Sequence, residues 1–240
     1  MNLLLLLTLL TGSVDQPSAQ QWLEAADSAR EAFQEAIISA RASQIAGGNV
    51  IGSADFDIYR KGRDKGLIIF QGGKNAGRKI LTVGDKMWLI VPGASNPVPI
   101  TANQRLMGGA SVADVARLRF AEDYTAALRP DSETVEGKRC RVLDLTAKSP
   151  KSPFPHVVLW VDEAQKLPAR VLFSLPSGKE AKDVTFTKFG KASEKTVVTE
   201  MEIRDLLAAD PATITRLEYR NFRAARLDDQ IFTPDGAKGL

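Results

Sequence analysis

The sequence predicts a mainly β protein: an antiparallel sheet curled into a half-open barrel, with an N-terminal helix and a helical insertion. Three observations carry this prediction. Apolar and polar residues alternate with a period of two over most of the chain, as at Ala54, Phe56 and Ile58. Glycine-rich or charged turns such as Gly72-Gly73 and Gly84-Asp85 separate short apolar runs, which is typical of consecutive hairpins. No linker divides the chain, so a single domain is predicted over residues 20–240.

The composition is that of an ordinary folded protein. Of 240 residues, 44% are hydrophobic and 25% are charged, which lies within the range of globular domains. The formal net charge is +3, from 32 basic and 29 acidic residues. Because the basic residues are spread among acids, we predict a solvated surface and no nucleic-acid partner. Cys140 is the only cysteine, so no disulfide can form within the chain.

An apolar run lies at the start of the chain. The residues from Leu3 to Leu10 are nearly all leucine, and the run is shorter than the about 20 residues needed to span a bilayer. Small and polar residues follow and end in Pro17-Ser18-Ala19, as in a signal peptide. We therefore expect residues 1–19 to be cleaved and the mature chain, with no transmembrane segment, to reside in the periplasm. The alternative is a buried N-terminal helix or strand.

The structured part is predicted to begin with an amphipathic helix. Apolar residues recur three or four positions apart from Trp22 to Ala40, and charged residues occupy much of the remaining surface. Gly47-Gly48 ends this pattern. Strands are then predicted over residues 54–59, 67–70, 78–83, 87–91, 140–145, 157–161, 170–175, 183–189, 196–203 and 213–222.

Residues 95–122 interrupt the strand pattern. The segment from Ser95 to Ile100 is rich in proline, and Thr101 to Arg119 has an irregular helical pattern with Ser111 as the predicted N-cap. Long non-strand insertions in β proteins are usually functional or disordered. This one is too apolar for disorder and is predicted to be a lid over one face of the sheet; its apolar residues are Leu106, Met107, Val112, Val115 and Leu118.

Residues typical of catalytic and metal sites are scarce. His156 is the only histidine, and together with Cys140 it makes no zinc site without two further carboxylates. The alternation places His156 at the start of a strand, which favours a structural role over that of a catalytic base. The segment from Gly72 to Lys79 lacks the Gly-Lys-Ser/Thr ending of a phosphate loop. We therefore predict a protein that is not an enzyme and needs no cofactor and no metal.

Several motifs occur in one order along residues 50–233. They are Gly84-Asp85-Lys86-Met87-Trp88 with Val91-Pro92, then Arg105 with Met107-Gly108, Asp123-Tyr124, Gly137-x-x-Cys140, Trp160-Val161-Asp162 and Asp228-x-x-Ile231-Phe232-Thr233. In this order and spacing the sequence resembles the outer-membrane lipoprotein-sorting protein family, within the LolA/LolB-like superfamily of periplasmic carriers. The resemblance implies an incomplete, strongly bent barrel of about eleven strands, covered by helices, around an apolar cavity.

The resemblance also implies a function. Such a carrier binds a lipid or lipoprotein acyl chains for transfer toward the outer membrane, with an inner-membrane transporter and an outer-membrane acceptor as possible partners. The residues expected to line the cavity and the lid are Trp88, Ile90, Arg105, Leu106, Met107, Val112, Val115 and Trp160. For each apolar one, plain core packing is the alternative. Arg105 is expected to pair with a lipid phosphate or to latch the lid to backbone carbonyls, with an ordinary surface arginine as the alternative.

Two other functions stay open. A sensor or interaction module would bind a lipidated or membrane-protein partner without transport. A lipid hydrolase would require His156, so an active His156→Ala variant would exclude it.

Overall fold

The helices are few and short. The computed structural model describes residues 17–31, 33–101, 104–111, 119–150, 152 and 154–240. Within these ranges α1 spans Ala19–Ser28, α2 spans Phe120–Asp123 and α3 spans Pro234–Lys238, and short 3-10 turns occupy Gly73–Asn75 and Asp229–Phe232. None of the helices described is long and apolar enough to cross a bilayer.

Strands form most of the described chain. They are β1 (Glu35–Ala46), β2 (Asn49–Lys61), β3 (Lys65–Gln71), β4 (Lys79–Val83), β5 (Lys86–Ile90), β6 (Val98–Pro99), β7 (Arg105–Met107), β8 (Ala110–Ser111), β9 (Tyr124–Leu128), β10 (Glu133–Val135), β11 (Lys138–Ala147), β12 (His156–Asp162), β13 (Pro168–Ser174), β14 (Glu180–Ala192), β15 (Lys195–Asp205) and β16 (Ile214–Ala224). His156 opens β12, as the alternation predicts.

Fourteen of the described strands form one antiparallel sheet. Their order is β10-β11-β12-β13-β14-β15-β16-β1-β2-β3-β4-β5-β6, with β9 beside β11. Sequence neighbours are thus sheet neighbours, except that the first strand pairs with the last: Ala42 lies opposite Leu217. The sheet stays open, with β6 at one edge and β9 and β10 at the other. This confirms the predicted mainly β, open antiparallel fold, with more strands than the about eleven implied by the resemblance.

One face of the sheet, here called the inner face, carries the main core. Trp22, Leu23 and Ala26 of α1 are buried against it. The large side chains that are almost fully buried there come from strands all along the sheet; they are Phe56, Ile68, Leu143, Leu145, Leu159, Met201, Ile203 and Leu217. Since α1 lies on the side of the sheet where these residues point, helix and sheet share one hydrophobic core.

A second cluster covers part of the opposite face, here called the outer face. It joins Leu67, Leu81 and Ile90 of the sheet to Leu227, Phe232 and Ala237 of the C-terminal segment. The residues after β16 therefore fold back over β3, β4 and β5 and shield this part of the outer face from water.

The N-terminal helix is shorter than predicted. It ends at Ser28, and the second half of the predicted apolar stripe belongs partly to β1, where Ala36, Ile38 and Ala40 face the core. β1 pairs with β2 on one side and with β16 on the other. Backbone pairing with two long neighbours outweighs a weak local helical pattern, so the extension of the helix to Ala40 was wrong.

A capping box starts α1. The amide of Gln21 donates to Ser18 Oγ at 3.2 Å, and the amide of Ser18 donates to Gln21 Oε1 at 2.8 Å. The predicted cleavage after Ala19 would leave Gln20 as the first residue and remove Ser18 from the helix. Capping serines contribute about 1 kcal/mol.

We therefore expect chains that start at Ser18 to be more stable than chains that start at Gln20 by about 1 kcal/mol. The measurement is urea unfolding of both chains, followed by far-UV circular dichroism. Ser18→Ala in the longer chain should remove most of the difference. Equal midpoints for all three chains would show that the cap contributes nothing.

Candidate functional site

The chain between β6 and β9 joins the two edges of the open sheet. Residues 100–123, here called the crossing segment, leave from β6 at one edge and enter β9 at the other. Between these edges the described part of the segment contacts β1, β15 and β16, which lie near the middle of the sheet. The described residues of the segment thus lie on the inner face, where the sequence predicted a lid.

The described middle of the crossing segment is a β-hairpin and not a helix. Residues 105–111 form β7 and β8, which pair with each other. The predicted irregular helix is therefore wrong over these residues, and its continuation over residues 112–118 lies outside the described part. Two short strands need a tight turn, which Gly108-Gly109 supplies between them.

Glycine is required in this turn by contact with the sheet. Gly108 has a φ of +52°, a conformation that side chains rarely adopt, and a Cβ at this position would collide with Thr215 Oγ1. The amide of Gly109 donates to the same Thr215 Oγ1 at 2.8 Å. A Cβ on Gly109 would stand 3.2 Å from Asp205 Cβ. The Met-Gly-Gly motif therefore allows the hairpin to lie directly on β15 and β16.

Arg105 pairs with a carboxylate of the sheet. Arg105 Nη2 lies 2.6 Å from Asp205 Oδ2, with the arginine side chain 65% exposed and the aspartate 15% exposed. The partner is a side-chain carboxylate and not the backbone carbonyls that the predicted latch would use. Exposed ion pairs of this kind contribute about 0–1 kcal/mol, so the latch is weak.

Two apolar lid residues contact the main core. Leu106 and Met107 are partly buried and pack against the inner-face cluster, and Ala110 of the same hairpin is fully buried in it. Met107 Cε lies 3.5 Å from the position that a Cβ on Gly52 would occupy, so the methionine lies beside β2. The hairpin therefore packs on the apolar surface of the inner face.

An aromatic cluster lies at the other end of the crossing segment. Phe120 lies 6.0 Å from Tyr124 and 6.1 Å from Phe173, and Phe154 lies 5.1 Å from Phe173, measured between ring centroids. Tyr124 donates its hydroxyl to the Phe154 carbonyl at 3.0 Å, and burial raises the pKa of this phenol. Of these residues Tyr124 stood in a recognised motif and Phe173 lay in the predicted strand over residues 170–175, whereas no pattern in the sequence marks Phe120 or Phe154.

Trp88 and Ile90 lie on the other side of the sheet. Both pack in the outer cluster with the C-terminal segment, whereas their neighbours Met87 and Leu89 contact the main core. The structure therefore does not bring Trp88 and Ile90 together with the lid hairpin. Core packing, the alternative weighed for them, describes their surroundings.

Trp160 is also separated from the lid. It packs in a small outer cluster with Cys140, Val142 and Ala169. Its indole Nε1 donates to Glu133 Oε2 at 2.9 Å, and the Arg170 guanidinium stands 4.9 Å from the ring centroid. Of the eight predicted contact residues the structure brings together Arg105, Leu106 and Met107, whereas Val112 and Val115 lie outside the described residues.

Known structures share this architecture. A LolA superfamily protein from Nitrosomonas europaea is similar to the chain with a TM-score of 0.82 and 25% identity, over 92% of this chain and 99% of that one. A DUF1329 family protein from Desulfovibrio piger has a TM-score of 0.76 and 22% identity, over 92% and 99% of the two chains. A putative outer membrane lipoprotein-sorting protein domain from Vibrio parahaemolyticus has a TM-score of 0.75 and 18% identity, over 92% and 98%.

The sequence comparisons identify a family but no function. No curated protein matches the chain significantly. Residues 62–236 match the model of a family whose description is "Uncharacterized protein". This match spans well over half of the chain, and the structural matches confirm the resemblance to the lipoprotein-sorting proteins. The chain therefore belongs to this family and has the fold of the LolA superfamily.

Proposed function

We propose that the protein is an exported carrier that holds the acyl chain of a lipid or lipoprotein between the inner face of the sheet and the crossing segment. The observation that carries this proposal is the position of the hairpin at residues 105–111 on the inner face of the open sheet, with Leu106 and Met107 packed against its apolar core. The Vibrio parahaemolyticus relative, named as a lipoprotein-sorting domain, supports this type of cargo.

The energetics favour displacement of the lid by cargo. Burial of an acyl chain contributes about 0.8 kcal/mol per methylene, or on the order of 12 kcal/mol for a chain of roughly 16 carbons before ordering costs. The polar contacts of the described hairpin with the sheet include the exposed Arg105–Asp205 pair, the Gly109–Thr215 hydrogen bond and a hydrogen bond of 3.2 Å from Lys182 Nζ to Ser111 Oγ. An exposed ion pair contributes about 0–1 kcal/mol, a neutral hydrogen bond about 0.5–1.5 kcal/mol and one from a charged group about 1.5–3 kcal/mol, so an acyl chain can compete with these contacts.

The proposal includes a periplasmic location after removal of residues 1–19. An inner-membrane transporter and an outer-membrane acceptor are the proposed partners, because an acyl chain held this strongly leaves at useful rates only when a partner competes for it. The proposed function involves binding and release without a chemical step, so His156→Ala should leave it unchanged.

The experiment is lipid analysis of the purified exported protein. Organic extraction and mass spectrometry should identify a bound lipid. Met107→Asp should reduce its amount by at least tenfold, because burying a carboxylate beside an acyl chain costs more than about 1.4 kcal/mol. Val98→Asp is the matched control, because Val98 is 52% exposed on β6, and it should retain the lipid.

Two outcomes would oppose a carrier. One is an unchanged lipid content in folded Met107→Asp. The other is the absence of lipid together with no uptake of a fluorescent fatty acid, which would favour the sensor or interaction module. The dense packing of Trp22 and Leu23 on the inner face supports that second function, because α1 already fills part of the space that cargo would need.

A further inference from the structure

A groove runs along the outer face of β1, far from the crossing segment. It consists of two adjoining cavities of about 370 and 250 Å³, which share Ser39, Asp57 and Asn221. Ligand sites typically have volumes of about 300–1,000 Å³. The groove forms because the small Ser39 of β1 lies between larger side chains of β2 and β16.

A bulge in β16 shapes one wall. Ile37 lies opposite Arg223 and Ser39 lies opposite Arg220, so Asn221 and Phe222 share the place opposite Ile38. Asn221 has a φ of +50°, an uncommon conformation outside glycine. Bulges and strained backbones of this kind often redirect side chains at functional sites. Here the bulge places Asn221 in both cavities.

The charges of the groove are balanced. Arg41 binds Asp55 through two hydrogen bonds of 2.7 and 2.8 Å, and Arg220 donates to Glu218 at 2.8 Å. Asp57 accepts from Ser39 Oγ at 2.8 Å and from Gln71 Nε2 at 3.1 Å. The lining thus holds three guanidinium groups, those of Arg41, Arg220 and Arg223, and two carboxylates. Glu218 lies outside the lining and neutralises Arg220, so a strongly charged ligand gains little net attraction.

Hydrogen-bonding capacity nevertheless remains. Each carboxylate oxygen has a second lone pair, and the described residues include no hydrogen-bond or ion-pair partner for the side chains of Asn221 and Arg223. Ile37, Tyr59 and Phe222 add apolar surface to the larger cavity. A ligand that fits this lining has many hydroxyl groups, because a hydroxyl can donate to a carboxylate and accept from an amide or guanidinium. It also has apolar C–H faces between these hydroxyl groups.

We propose that this groove binds a short, neutral oligosaccharide along β1. The larger cavity takes a sugar ring against Tyr59 and Phe222, and the smaller cavity takes the next ring beside Asp55 and Arg220. Asn221 contacts the chain where the two cavities meet. This site is independent of the proposed acyl-chain site, because it lies on the opposite face of the sheet.

The test is saturation-transfer difference NMR of the whole chain with maltose, cellobiose and the N-acetylglucosamine disaccharide. At least one should bind. Asn221→Gly removes the amide and suits the positive φ, so the fold is retained and binding should weaken about tenfold. Arg223→Gln should weaken it as well. Asn96→Gly and Arg78→Gln change exposed residues elsewhere and should bind like the parent chain.

The proposal is overturned if none of the three disaccharides binds. It is also overturned if folded Asn221→Gly and Arg223→Gln both bind as the parent does, or if a sulfated disaccharide or an extended peptide binds in the groove and the neutral sugars do not.

Discussion

Asp27→Asn should gain stability relative to the parent chain as the pH rises from 4 to 8. Asp27 of α1 is buried, and burial raises the pKa of its carboxyl from 3.8 to about 6, against the opposing effects of the Ala121 amide and Arg30. Its Oδ2 accepts from the Ala121 amide at 2.8 Å, whereas its Oδ1 has no hydrogen-bond partner among the described residues. The folded state therefore favours the protonated acid.

The pH dependence follows from the sign of this shift. Between pH 3.8 and about 6 the folded chain binds more protons at Asp27 than the unfolded chain, so stability falls as the pH rises. Above the folded pKa the ionised carboxylate costs about 3 kcal/mol relative to acid conditions. Asparagine does not titrate and avoids this cost. Any cost of burying the asparagine amide group lowers the free energy of unfolding by the same amount at every pH. Such a cost therefore does not change how the stability difference between the two chains depends on pH.

The measurement is urea unfolding of both chains at several values between pH 4 and pH 8. The stability difference, variant minus parent, should grow by about 2–3 kcal/mol over this range. Asp55→Asn provides the contrast, because a hydrogen bond from Arg41 lowers the pKa of Asp55, and its replacement should cost more at neutral pH than in acid. A pH-independent difference for Asp27→Asn would mean that Asp27 titrates normally.

The strand pattern was the part of the fold that the sequence predicted best. Ala54, Phe56 and Ile58 alternate because β2 has one face in the main core, and only a sheet gives this period. Turn glycines mark the hairpins because the backbone there adopts positive φ, as at Gly84 between β4 and β5. Both signals are local, so they can be recognised without knowing which strands pair with each other.

The errors concern features that depend on distant residues. The stripe from Trp22 to Ala40 fits a helix locally, but β1 extends through residues 35–46 because β16, more than 160 positions away, pairs with it. The hairpin at residues 105–111 likewise depends on Thr215 and Asp205, to which its turn is fitted. Neither partner is visible in a local pattern.

Trp88 and Ile90 were assigned to the wrong face of the sheet for a related reason. Along β5, Met87, Trp88, Leu89 and Ile90 are all apolar, so alternation cannot tell the inner from the outer face. Both faces are apolar because the C-terminal segment covers the outer one. Only the position of Phe232 and its neighbours in the fold shows which side chains point toward the crossing segment.

Lys79→Met should loosen this C-terminal cover. Lys79 lies on the outer face of β4 and is buried, and its ammonium donates to the backbone oxygens of Ala237, Lys238 and Leu240 at 2.8, 3.2 and 2.7 Å. The first two are carbonyls at the C-terminal end of α3, which attract a cation. Methionine keeps the apolar stem and removes the donors, leaving the carbonyls in an apolar surrounding. Hydrogen bonds from charged groups contribute about 1.5–3 kcal/mol, so a loss of about 2 kcal/mol is expected.

Hydrogen exchange shows where this loss acts. Amides of residues 227–239 should exchange about thirtyfold faster in Lys79→Met, which is the same 2 kcal/mol expressed as a local opening. The inner-face strands should keep their protection, because the outer cluster is separate from the main core. Lys74→Met changes an exposed lysine in the turn before β4 and should leave both regions unchanged. Equal exchange rates of residues 227–239 in all three chains would mean that Leu227 and Phe232 hold the segment without Lys79. Faster exchange throughout the sheet would mean that the main core and the outer cluster unfold together.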